Sequence, residues 1–344
     1  MAKKKKIATS ELASFCEQLY LILKAGISYD EGLSIISKDA TNTVIKQVST
    51  ELEDLIHGDS LANALEKVKL FPKYMVEMVN IGENTGRLEE VMAGLTDFYQ
   101  RRYAIERSIK SAVVFPLVMA LMMFAVIIVL IVKVLPVFYK VLQSFAGGLS
   151  AFSLGLLKIG GLISGNATVI ALVLIAVIVL LVVFFLTDKG KKIGEEIIYR
   201  MFKKINTAIA IAGFSSSMAL MLKSGMNIDH SLEMAKETLK SSEMITKIQH
   251  TQDLMDKGLG FAQATNESEV FNNIHNAMIE LGVKTGTLEQ VMDYIAKESN
   301  QKAEEKISNL ISLIEPTIVI VFSLIVAIIL LSVILPLMGV MTSL

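Results

Sequence analysis

Two stretches 200 residues apart are near copies of one another. One reads Gly82-Glu83-Asn84-Thr85-Gly86-Arg87-Leu88-Glu89-Glu90-Val91-Met92, the other Gly282-Val283-Lys284-Thr285-Gly286-Thr287-Leu288-Glu289-Gln290-Val291-Met292. The match continues at the same offset: Gly58 with Gly258, Ala62 with Ala262, Phe71 with Phe271, Met78 with Met278, Pro116 with Pro316, and Leu135-Pro136 with Leu335-Pro336. Nearer the start the offset slips by one, pairing Phe15 with Phe214, Leu21 with Leu220, Gly26 with Gly225 and Asp30 with Asp229. Self-similarity at a fixed period means one structural unit used twice. A chain of 344 residues is therefore read as a duplicated unit of about 130 residues with an extra segment between the copies.

Charge divides the chain as sharply as the repeat does. Of the 34 acidic residues, 16 lie in residues 1–111 and the other 18 in 188–315, so 112–187 and 316–344 hold none. Residues 111–132 form an uncharged apolar run long enough, at about 1.5 Å per residue, to cross a hydrocarbon core. Residues 169–186 form a second run, and a third extends from Pro316 to Leu335. Lys133 stands where its ammonium can snorkel outward.

The expected architecture is all-α: two homologous cytoplasmic helical bundles with three transmembrane helices. Its segments are unit 1 over 1–110, span 1 over 111–135, an external connector over 136–167, span 2 over 168–187, unit 2 over 188–315, span 3 over 316–338, and an external tail over 339–344. Basic clusters (Arg101, Arg102, Arg107 and Lys110; Lys189, Lys191, Lys192 and Arg200) sit at the near ends of the spans. The positive-inside rule then puts both units and the N-terminus in the cytoplasm and the C-terminus outside. The basic start Met1-Ala2-Lys3-Lys4-Lys5-Lys6 has no apolar run behind it, so it reads as a solvated tail or a contact with anionic membrane lipid.

Within the first unit the apolar spacing predicts five helices before the long one. Leu12, Phe15, Cys16, Leu19 and Leu23 repeat at helical intervals, and Gly26 closes that helix. Ser28 with Glu31 makes a capping box for the second. The third covers 43–57, Ser60 opens the fourth, and the fifth is expected to stop at Gly82. In the second unit Asn227 after Gly225 reads as a cap.

The repeated motif then reads as a helix–turn–helix. Gly86 and Gly286 start the new helix, Leu88 and Leu288 begin its apolar stripe, and Glu89 and Glu289 meet free amides in its first turn. Pro116 is expected in the first turn of its span, where a missing amide costs least. Glu83 and Arg87 become Val283 and Thr287 in the second copy. An uncharged face is the easier one to bury, so the Val283 turn is expected in a protein contact, and the Glu83 turn solvated.

Little else in the sequence carries chemistry. One cysteine, Cys16, excludes an internal disulfide and a thiolate zinc site, and the four histidines have no metal-ligand spacing. Neither motif copy has phosphate-loop spacing, so no cofactor, metal or catalytic residue is expected. A net charge of −1 gives nucleic acid no purchase. The spans hold no Asp, Glu, His or Arg, which argues against a coupled carrier. A small-solute transporter and a membrane enzyme stay as alternatives, requiring a polar path or a convergent nucleophile and base.

The order of parts resembles a known family. GENTGRLEEV precedes a span entered through SAVVFP and left through VLPVF. GVKTGTLEQV precedes a span entered through IEP, with Glu315 and Pro316, and left through ILPLM, with Pro336. This is similar to the GspF/PilC family, inner-membrane platform proteins of type IV pilus and type II secretion machines. Departures are a short N-terminal extension and Gly147-Gly148-Leu149-Ser150 where the family usually carries a Pro-x-x-Thr stretch. The resemblance implies a non-enzymatic, multi-pass inner-membrane protein of a pilus, competence or secretion machine. Its implied partners are a cytoplasmic hexameric assembly ATPase, pilin or pseudopilin subunits, other inner-membrane components, and further copies of itself. The family's motif positions fall here on Gly26, Gly82, Glu83, Gly86, Leu88, Glu89, Pro116 and Pro136, and again on Gly225, Gly282, Gly286, Leu288, Glu289 and Pro336.

Overall fold

The fold was read from a computed structural model that describes residues 7–39, 42–130, 137 and 203–341. Every regular element among them is helical. In chain order they are α1 (Thr9–Lys24), α2 (Tyr29–Asp39), α3 (Thr43–Ile56), α4 (Leu61–Val68), α5 (Lys73–Thr85) and α6 (Leu88–Val129). There follow α7 (Lys203–Lys223), α8 (Ile228–Glu237), α9 (Ser242–Asp256), α10 (Phe261–Glu267), α11 (Asn273–Thr285) and α12 (Leu288–Met341). The six helices of the first copy thus recur in order in the second. The span expected at 168–187, Pro136 and the connector apart from Val137 lie outside the described residues.

Contacts group Met1–Ser108 with Lys203–Lys306 into one compact unit, so both copies share one helical unit. Each copy is held by the same aromatic pair: Phe15 packs on Phe71 with centroids 5.4 Å apart, and Phe214 on Phe271 at 5.8 Å. Around the first pair, Leu12, Cys16 and Leu19 of α1, Leu33 of α2, Leu52 of α3 and Met75 and Met78 of α5 are buried. The second copy repeats this with Met218, Met221, Leu232, Ile248 and Ile279. Truncating either phenylalanine of a pair to alanine would cost about 3–5 kcal/mol.

The local start signals act as the spacing predicts. The Glu31 amide donates to Ser28 Oγ at 3.4 Å, the Asn63 amide to Ser60 Oγ at 3.2 Å, and the His230 amide to Asn227 Oδ1 at 2.9 Å. Gly26 and Gly225 follow α1 and α7 with φ of +79° and +87°.

Two expectations are corrected. The fifth helix does not stop at Gly82 but runs to Thr85, and Gly86 is its cap. Gly82 serves packing: a Cβ there would lie 3.0 Å from Leu88 Cα and 3.1 Å from Val91 Cγ2, so its absence lets the next helix fold tightly back. Pro116 does not open a helix either. It lies well inside α6, because that helix starts at Leu88 and continues unbroken into the apolar run. Pro316 likewise lies within α12, beside the exposed Glu315.

The other unit comprises Ile109–Phe202 and Ile307–Leu344, of which the apolar parts of α6 and α12 are described. Three described helical stretches are long and apolar enough to cross a membrane: Leu88–Ile127, Ile205–Lys223 and Leu288–Leu331. The middle one is largely buried by protein as α7 of the helical unit, and burial explains its apolar character without lipid. The other two have no buried residue in their most apolar window. Phe115, Leu121, Met122, Leu324, Ile328 and Leu331 point outward from them, as lipid-facing side chains do.

A candidate interaction site at the repeated turns

The turn between α5 and α6 is a glycine-terminated helix end. Gly86 adopts φ +68°, a region that a side chain makes costly, and the Arg87 amide donates to Gly82 O at 2.8 Å. The second copy repeats it with Gly286 at φ +71° and the Thr287 amide on Gly282 O at 2.9 Å. Leu88 and Leu288 are buried just beyond, at the foot of each apolar stripe. Glu89 is exposed and Glu289 half-buried, both in the first turn of their helices.

The two turns differ in what they do with position 83. The Glu83 carboxylate accepts the Leu61 amide with one oxygen and the Ala62 amide with the other, each at 2.8 Å. It therefore caps α4, and its charge is engaged inside its own copy. Within the chain Val283, at the matching place, makes no such bond to its neighbours' amides and is 42% exposed. Helix α10, the counterpart of α4, starts at Gly260 with no side-chain cap. Beside it opens a cavity of about 600 Å³ lined by Phe261, Asn266, Asn276, Val283 and Lys284 among others.

The two copies dock on one another. Gly94 of α6 lies against Leu220 of α7 so closely that a Cβ on Gly94 would be 2.1 Å from Leu220 Cδ1. Polar contacts surround this point. Lys73 pairs with Glu237 at 3.0 Å, Arg102 Nη1 donates to Thr238 O at 3.1 Å, and Arg87 Nη1 reaches Lys223 O at 3.5 Å. The guanidinium groups sit on carbonyls at the C-terminal ends of α8 and α7, where helix dipoles favour cations. Arg87, singled out as a lost charge, thus belongs to the contact between copies. Sequence reasoning missed Gly94. Its only signal was a mismatch in the repeat, since Tyr294 stands at the matching place.

Other titratable groups have structural explanations. Burial pushes the Cys16 thiol and the Tyr74 phenol up. Glu298 is held below the usual carboxylate range by hydrogen bonds from Lys302 and from His275, whose Nε2 lies 3.0 Å away. Among the described residues, no cluster of three His, Cys, Asp or Glu side chains could hold a metal.

Comparison with known proteins gives the same bipartite pattern. The model of the family "Type II secretion system (T2SS), protein F" matches residues 15–136 and again 214–336, most of the chain and in the register of the internal repeat. A "Type IV pilus assembly protein PilC" of Thermus thermophilus is 26% identical over 335 residues, covering 95% of this chain and 82% of the relative. A "Type II secretion system protein F" of Aeromonas hydrophila is 23% identical over 336 residues, covering 96% and 86%. A "Protein transport protein HofC homolog" of Escherichia coli is 24% identical over 328 residues, covering 90% and 78%.

Proposed function

Because this chain belongs to the type II secretion system protein F family, we propose that it is an inner-membrane platform protein of a pilus, competence or secretion machine. It performs no catalysis. It couples movements of a cytoplasmic hexameric assembly ATPase to the insertion or extraction of pilin or pseudopilin subunits. The names of its relatives, which are pilus-assembly, type II secretion and protein-transport components, support this reading.

The observation that carries it is the pairing of a docked double bundle with two helices of unusual length. α6 runs from Leu88 to Val129 and α12 from Leu288 to Met341. Each starts at a repeated turn among buried core residues and continues into an uncharged apolar run. A displacement imposed on a bundle would be carried along such a helix, because its backbone hydrogen bonds make it a stiff rod. In this proposal both bundles and the N-terminus are cytoplasmic, the connector and C-terminus external, and a third span occupies 168–187.

The test is co-purification. Full-length protein extracted in detergent from its own cells should bring down a hexameric ATPase, and the yield should respond to nucleotide. Extraction in several mild detergents with no ATPase recovered would overturn the coupling role.

A further inference from the structure

The copies inside the helical unit meet through unlike faces. The first copy contributes the α5/α6 face, with Lys73, Gly94 and Arg102; the second contributes the α7/α8 face, with Leu220, Glu237 and Thr238. The duplication gives each copy both kinds of face. The first copy has a counterpart of the α7/α8 face on α1 and α2, and the second has a counterpart of the α5/α6 face on α11 and α12. On α12, Arg101 of α6 reaches Asp293 at 4.0 Å, while Tyr294 beside it stays 53% exposed.

The apolar surface lies on these counterpart faces. The large exposed hydrophobics of the helical unit are Leu21, Ile35, Val44, Tyr103, Ile274, Leu281, Val283 and Tyr294. Leu21 (55% exposed) and Ile35 lie on α1 and α2; Ile274 (72%) and Leu281 (62%) lie on α11, and Tyr294 (53%) on α12. The matching positions of the other copy are covered. Leu220 matches Leu21, Met234 matches Ile35 and Tyr74 matches Ile274, and all three are buried. Leucine, isoleucine and tyrosine are retained at places where they meet water, while their repeat partners meet protein. Exposed apolar groups gathered on such faces mark an interaction surface.

We propose that the α11/α12 face of one molecule receives the α1/α2 face of a second copy of this chain. The contact is head-to-tail, joining the second bundle of one copy to the first bundle of the next as the two bundles are joined within a chain. It deepens the platform reading by giving self-association a surface, and rests on that reading only for the membrane the copies share.

The second contact is a looser version of the first. The Lys73–Glu237 ion pair has as counterparts Asn273 and Lys38, which form no such pair. Tyr294 stands where Gly94 makes room for a leucine, so Leu21 cannot seat as deeply as Leu220 does. In this contact the exposed ring of Tyr294 meets Leu21 and Ile35, and the exposed Ile274 and Leu281 of α11 add apolar surface. Tight union within the chain and weaker union between chains suits a machine part whose copies must move against each other.

The test uses full-length protein in native membranes. One copy carries Leu21→Cys and one epitope tag, the other Tyr294→Cys and a second tag; the native Cys16 is fully buried and does not compete. Mild oxidation should give a disulfide-linked species carrying both tags, and few pairs carrying one tag twice. Adding Ile274→Lys and Leu281→Lys to the Tyr294→Cys copy should lower the yield of the mixed species at least tenfold. Predominant same-tag pairs would overturn the proposal in favour of a like-to-like contact. Copies that co-purify without any mixed disulfide would overturn it in favour of another face, and copies that do not co-purify would overturn it outright. Recovery of the ATPase with these variants is scored separately, so loss of this contact is distinguishable from loss of the platform role.

Discussion

Replacing Glu83 with valine would give the first copy the residue that the second copy has. Glu83 accepts two main-chain amides at 2.8 Å, from Leu61 and Ala62, two buried residues at the start of α4. Ser60 remains to accept the Asn63 amide, so one cap of three is kept. Loss of a helix cap costs about 0.5–2 kcal/mol, and a hydrogen bond to a charged acceptor contributes about 1.5–3 kcal/mol. The two descriptions overlap, because both count the same amides, and water reaches them in part once the carboxylate is gone. We expect local opening of the α4 start to become easier by about 2 kcal/mol, which is a roughly 30-fold faster exchange of its amide hydrogens. Hydrogen–deuterium exchange of the detergent-solubilised full chain, read on peptides spanning 58–66, measures this directly. Glu83→Gln, which keeps one acceptor, should fall between. Unchanged exchange over 58–66 in Glu83→Val would refute the capping role and return Glu83 to the surface as a partner-facing charge.

Four further outcomes are expected. Gly94→Leu would drive a side chain into Leu220, so the copies should undock, seen as faster exchange over 218–225 with the α3–α4 peptides unchanged. Gly86→Val or Gly286→Val should destabilise the affected copy by about 1–3 kcal/mol, since both positions hold positive φ; an unaltered melting temperature would contradict it. Asp59 is held from its usual 3.8 down to about 2 by Lys67 and then Asn63 and the Ser60 amide. An acid with a depressed folded pKa stabilises above its unfolded value and loses that contribution as pH falls, so the melting-temperature gap between the native chain and Asp59→Asn should close between about pH 4 and 2. Single cysteines at Ser144 and Ser343 should label from outside intact cells, and those at the exposed Glu66 and Lys257 should not; external labelling of Lys257→Cys would overturn the topology.

Local signals were legible in the sequence because their causes are local. Ser28, Ser60 and Asn227 bond amides three residues away, and a spacing of that kind is written in the chain itself. The duplication fixed that there are two bundles of one design, and the absence of acids from 112–187 and 316–344 marked the apolar segments. Helix ends were read less well. Gly82 and Gly86 are both glycines, and a one-dimensional pattern does not say which one turns the chain and which one makes room for Leu88 and Val91. The apolar run around Pro116 carries no mark of where its helix begins, because α6 starts at the repeated turn, well before that run.

What the tertiary structure alone decided is where the charges and the small residues are used. Glu83 acts on amides 21 and 22 positions earlier in the chain, and nothing in the local pattern points there. Gly94 matters because of Leu220, and Arg87 because of the Lys223 carbonyl, each across the two copies. Sequence fixes how each copy folds, since caps, turns and apolar stripes act within a few residues. How two like copies choose unlike faces depends on which side chains happen to be missing where they meet, and a glycine opposite a leucine becomes a contact only when the chain has brought them together.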